Sequence, residues 1–237
     1  MNGKDGVTQL AALTVATVTF VGTHFLLSHP LRAAIVRRIG DGPFLGLYSL
    51  VAAITFGWMV WAAWTMPSLP PCWIAPLWFY DWVAPLLMLL ASILLVGSFI
   101  GNPAFPDPKN AVQHVRPATG VFAITRHPMN WAIMLWALTH IVLSGKPTNL
   151  VVASGLFVLT FVGSLLQDRK KNALLGDAWR GWETRTSFVP FGALIDGRIP
   201  WRAAWPGAIA TFGGLLLWAF ASFAHRQPIG IWRWLQL

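Results

Sequence analysis

Six histidines, at positions 24, 29, 114, 127, 140 and 225, are the side chains of this 237-residue sequence best suited to ligation or proton transfer. The densest stretch is TRHPMNWAIMLWALTH, residues 125–140, where Arg126 and His127 lead into an apolar run that ends on a second histidine, His140. Ionisable groups in or beside a membrane-crossing segment are costly and call for a partner. Pro128 suits the first turn of a helix, where its missing N–H leaves no bond unmade. Arg126 and His127 then stand at the membrane boundary, and His140 lies about 18 Å further along the axis. At about 100° per residue His140 returns close to the face of Arg126, while His127 points elsewhere. The two histidines therefore need separate partners.

His24 sits inside the first apolar run, between Thr23 and Phe25. Neutral imidazole is a good iron ligand and tolerates apolar surroundings, so His24 and His140 suit the two axial positions of a haem held between helices. The alternative is that each ring hydrogen-bonds a carbonyl or hydroxyl on a neighbouring helix. On depth alone the pair is mismatched by about 12 Å at helical rise. That makes His127 the reserve ligand. His114 and His225 fall in loops or at a helix end, where solvent is the expected partner.

Other chemistries find less support. HExxH, GxSxG and Walker A patterns are absent. The spans hold no paired carboxylates for ion coupling. The single cysteine, Cys72, allows no internal disulfide and no cysteine-built metal cage.

The elements that must position these residues are membrane helices. The chain is 56% hydrophobic and 11% charged, against about 25% charged in a soluble domain. Runs near the required ~20 apolar residues predict six spans in a single polytopic domain, residues 1–237. They are 7–27, 44–66, 82–100, 125–143, 150–166 and 208–224, an all-α bundle. The first run is too long for the apolar core of a signal peptide and is read as a retained helix.

The net charge of +9 resides in the connections. Thirteen basic residues, from Arg32 to Arg202, fall on one side, against Lys4, Lys146, Arg226 and Arg233 on the other. That distribution is the positive-inside pattern, and it disfavours a nucleic-acid surface. It predicts that the thirteen-residue side is cytoplasmic and that both termini lie outside. Trp73, Trp78, Trp82, Trp232 and Trp234 would form the outer interfacial belt, Trp201 and Trp205 the inner one.

The connection 167–203 carries four of the eight acidic residues, with Trp179 and Trp182. Two readings stand: an interfacial amphipathic helix with tryptophans at the headgroups, or a cap folded over the cytoplasmic mouth of the bundle.

The blocks HFLLS near residue 25, VRRIGDGPFLGLYSLVA, TRHPMNWAIMLWALTH, QDRKKN and TSFVPF resemble the NnrU family over residues 20–195. That resemblance implies a role in denitrification, in support of nitrite and nitric-oxide reductases, and with it the bacterial inner membrane, where both outer termini are periplasmic. The plant 15-cis-zeta-carotene isomerases are similar over the same blocks and are haem b membrane enzymes with histidine ligands. Their likeness implies His24 and His140 as metal ligands, and puts Ala137 where they carry a cysteine. Arg126 and Trp131 would then cover or pair with the haem propionates. A remoter similarity, to isoprenylcysteine carboxyl methyltransferases through Arg126, His127, Pro128, Asp168 and Arg169, implies S-adenosylmethionine as the alternative cofactor. A non-enzymatic assembly factor for a reductase is the third expectation. Membrane lipid and reductase machinery are the partners implied, and nucleic acid is not.

Overall fold

The structure, a computed structural model, describes residues 3–102 and 118–225, with Trp232 and Leu235. His114, Lys109, Arg116, Arg226, Arg233 and Trp234 lie outside the described residues. Among the described residues ten α-helices follow one another: α1 Gly3–Ser28, α2 Arg32–Ile39, α3 Asp41–Trp64, α4 Ala84–Gly97, α5 Val121–Ile124, α6 Pro128–Leu143, α7 Pro147–Leu175, α8 Asp177–Arg185, α9 Gly192–Ile195 and α10 Ala208–Phe223. A π-helical turn, Phe79–Val83, leads into α4, making one apolar rod of Phe79–Gly97. No strand occurs among the described residues, and extended pairing is limited to one bridge between Ile74 and Ser144.

Proline and glycine mark the ends. Pro128 and Pro147 open α6 and α7, where the absent N–H is harmless. Gly207, at φ 86°, turns the chain into α10, a conformation that L side chains rarely adopt. Gly6–Ser28, Asp41–Trp64, Phe79–Gly97 and Pro147–Leu175 are long and apolar enough to cross a membrane, and Pro128–Leu143 and Ala208–Phe223 are shorter apolar helices. Their outer faces carry large exposed hydrophobics, among them Val18, Ile54, Trp61, Phe212 and Leu216. Helices that are apolar on faces turned away from their neighbours belong in lipid. The protein is an all-α, multi-pass membrane protein.

Each predicted span coincides with an apolar helix, with one correction. The fifth was expected to stop at residue 166, yet α7 continues to Leu175 and carries Asp168 within it. Residues 167–175 are mostly good helix formers, so nothing local ends the helix there.

The chain divides into two compact units, residues 1–75 with 140–159, and residues 76–139 with 160–237. In the first, Leu13, Ala16 and Phe20 of α1 pack on Met59 and Ala62 of α3, with Val151, Val152, Leu156 and Leu159 of α7 against them. Residues 72–75 hydrogen-bond to 141–145: Gly145 N–H donates to the Trp73 carbonyl (3.0 Å), Ala75 N–H to Leu143 (3.0 Å) and the Trp73 indole to Ile141 (3.1 Å). This tie fixes the end of α6 on which His140 stands. A Cβ at Gly145 would lie 2.6 Å from the Trp73 ring.

In the second unit α10 packs along α4, and Gly213 and Gly214 let the backbones approach, the small-residue device of membrane helix pairs. Trp179 and Trp182 of α8 are both about 1% exposed, packed with Ala91, Leu94, Phe122, Ile124 and Ala132. They are core residues, and that overturns the reading of them as headgroup tryptophans. Trp78, Trp82, Trp201 and Trp205 are exposed.

Candidate functional site

In the second unit the short extended stretch before α6 is tied to the TSFVPF block, residues 186–191. Arg126 N–H donates to the Ser187 carbonyl (2.9 Å), the Thr125 hydroxyl to Phe188 (2.7 Å), and Phe191 N–H to Ile124 (2.7 Å). Ser187 in turn accepts from the Ala193 amide and donates to the Val189 carbonyl, and the Arg198 guanidinium donates to the Thr186 carbonyl. Phe191 adopts φ 65°, unusual for a residue with a bulky side chain. Its amide bond to Ile124 and the stacking of its ring on Trp201, 6.4 Å between centroids, hold it there.

This frame delivers Arg126 and His127 to Asp168. Arg126 Nε donates to one carboxylate oxygen at 2.8 Å, and His127 Nε2 lies 2.9 Å from the other. All three are largely buried, with side-chain exposures of 15%, 3% and 10% for Arg126, His127 and Asp168. Burial of a charge is tolerable when it is paired and its remaining lone pairs are bonded; here one carboxylate serves two donors. With Asp168 ionised, the hydrogen bond at Nε2 is donated by the imidazole to the carboxylate. Phe188 sits against this group, 5.8 Å from the rings of His127, Trp131 and Phe161. A small hollow of about 60 Å³ borders Arg126, His127, Asn130 and Gln167, room for about two waters. Asn130 donates to the Ser164 hydroxyl at 2.7 Å. The arrangement can orient an imidazole and pass a proton.

His24 and His140 belong to the first unit. The His24 ring packs edge-on against Phe20 and Tyr48, at 5.1 and 5.0 Å. Its Nδ1 is buried and has no hydrogen-bond partner among the described residues. A buried polar nitrogen left unmatched is destabilising by about 1–3 kcal/mol, and a metal ion or a hydrogen-bonding group would match it. In its donor chemistry, then, this residue fits a haem. His140 is half-buried on the last turn of α6. The two cavities described here both lie in the second unit, and neither has His24 or His140 in its wall. No group of three or more His, Cys, Asp or Glu among the described residues is placed to hold a metal ion.

The structure thus brings Arg126, His127 and Trp131 together around Asp168 and Phe188. His127 Nε2, considered as a reserve iron ligand, is engaged by Asp168, and so is Arg126 Nε, considered for haem propionates. The indole N–H of Trp131 is buried without a partner among the described residues. Asp168 was grouped with Arg126 and His127 only through the methyltransferase resemblance; local pattern gave no sign of it, since its partners lie about forty residues away.

Fold and site define a multi-pass helical membrane protein organised on a buried Arg–His–Asp group. The chain belongs to the NnrU family: the model of that family, described as "NnrU protein", matches residues 12–233. Over 80 residues, 34% of the chain, it is 35% identical to the chloroplastic 15-cis-zeta-carotene isomerase of Zea mays and 31% identical to that of Arabidopsis thaliana. The match spans 22% of the length of each of those relatives. No solved structure matches the chain.

Proposed function

We infer that the protein binds haem b in the bacterial inner membrane and supports nitrite and nitric-oxide reduction, and that His24 and His140 would hold the haem iron. The observation that carries this reading is the buried, unmatched Nδ1 of His24 inside a membrane-crossing helix. The plant relatives are named as 15-cis-zeta-carotene isomerases, and isomerase-like chemistry is a second use for the same group. When bound, haem b supplies a redox-active iron that exchanges ligands. The chain's own residues do the rest. His24 presents a neutral nitrogen from α1, and the rings of Phe20 and Tyr48 pack against its imidazole. The pairing of residues 72–75 with 141–145 fixes the turn that bears His140.

The test is the visible spectrum of haem-replete protein and of three variants. His24→Ala and His140→Ala should each lose or shift the Soret band, while His127→Ala should keep it. Unchanged bands in both ligand variants overturn the assignment. So does the lack of any Soret band combined with stabilisation by S-adenosylmethionine, the result expected of a methyltransferase.

A further inference from the structure

A cavity of about 420 Å³ lies in the second unit, between the end of α4, the lead into α5 and the turn before α10. Its wall is divided. Ile100, Phe122 and Trp205 offer apolar surface, whereas Arg202, Thr119 and Trp182, also in the wall, are residues that carry hydrogen-bond donors. None of the described residues in its wall is acidic. Trp182 is about 1% exposed, and its indole N–H has no acceptor among the described residues. A buried donor without an acceptor is a costly arrangement in a folded protein, and Trp182 forms part of this wall. Arg202 is exposed and makes no ion pair or hydrogen bond among the described residues. Trp201 and Trp205 beside it are 62% and 66% exposed, the amphipathic residues that favour headgroup depth.

We propose that this cavity binds an anionic phospholipid, its phosphate taken by Arg202 and the Trp182 indole N–H and its chain lying along Ile100 and Phe122. Donors, with no acid among the described wall residues, select an anion. The guanidinium recognises phosphate by charge-assisted bonds, and the apolar half of the wall distinguishes an amphiphile from a free ion. This inference does not rest on the haem reading.

The experiment measures thermal unfolding of the detergent-purified full chain while phosphatidylglycerol, phosphatidylcholine or inorganic phosphate is titrated in. Phosphatidylglycerol should stabilise at the lowest concentration, and inorganic phosphate should have no effect. Arg202→Ala, at an exposed position, should weaken the apparent affinity about tenfold, the size of one lost charge-assisted bond. Trp182→Phe keeps an aromatic ring in the core, removes only the donor, and should weaken affinity in the same direction. Equal stabilisation by phosphatidylcholine, or an affinity unchanged in both variants, overturns the proposal. A response to inorganic phosphate as strong as that to the lipid contradicts its apolar half.

Discussion

Asp168 is the residue whose surroundings most need explaining, because a carboxylate on an apolar helix is stable only with its charge answered. Arg126 and His127 answer it at 2.8 and 2.9 Å. Removing one partner from such a buried group leaves the others uncompensated, at about 3–5 kcal/mol. Asp168→Ala should therefore lower the unfolding temperature steeply, whereas Asp177→Ala should change it little. The Asp177–Arg180 pair is exposed, and exposed pairs contribute only about 0–1 kcal/mol. Comparable effects from the two variants would refute the structural role given to Asp168. At the same scale, the Thr125 hydroxyl bonded to Phe188 can be deleted at nearly constant volume. Thr125→Val should cost about 1–3 kcal/mol, because a buried carbonyl loses its donor. Thermal unfolding in detergent checks it.

At the scale of elements, the small residues of α10 carry a clear expectation. A Cβ at Gly214 would lie 2.7 Å from Ile93 Cα on α4, a backbone atom that cannot swing aside. Gly214→Val should destabilise by about 1–3 kcal/mol through overpacking. Gly57→Ala on α3 meets nothing within 4 Å and should be neutral or stabilising, by about 0.5–1 kcal/mol from helix propensity. The contrast between the two unfolding temperatures tests the α4–α10 contact.

Much of this level was legible beforehand. Apolar run lengths located the helices to within a few residues, because the bilayer sets a length that composition must satisfy. The missed boundary was at Gln167–Asp168, where charges were taken as the end of a span. They did not end it, because Asp168 is matched by residues brought from the start of α6, and a long-range pairing leaves no mark in local hydropathy. Trp179 and Trp182 left two readings open for a related reason. A tryptophan among charges reads as interfacial, and only tertiary packing turns both into core. His127 was singled out by its type and its place before Pro128, but its partner came from the fold.

At the scale of the whole molecule, the positive-inside distribution fixes the orientation proposed for the chain. Cys72, the one thiol in the sequence, is exposed in the loop between the second and third apolar helices. In intact spheroplasts a membrane-impermeant maleimide should label it fully from outside. Labelling that needs the membrane to be opened would invert the topology and place the thirteen basic residues in the periplasm. The functional account rests on the unmatched imidazole of His24 taking iron. Its most direct test is the absorption spectrum of the full chain purified from haem-replete cells, oxidised and then reduced with dithionite. A Soret band that sharpens and shifts on reduction, at close to one haem per chain, is the predicted result. A featureless visible spectrum from folded protein would contradict it.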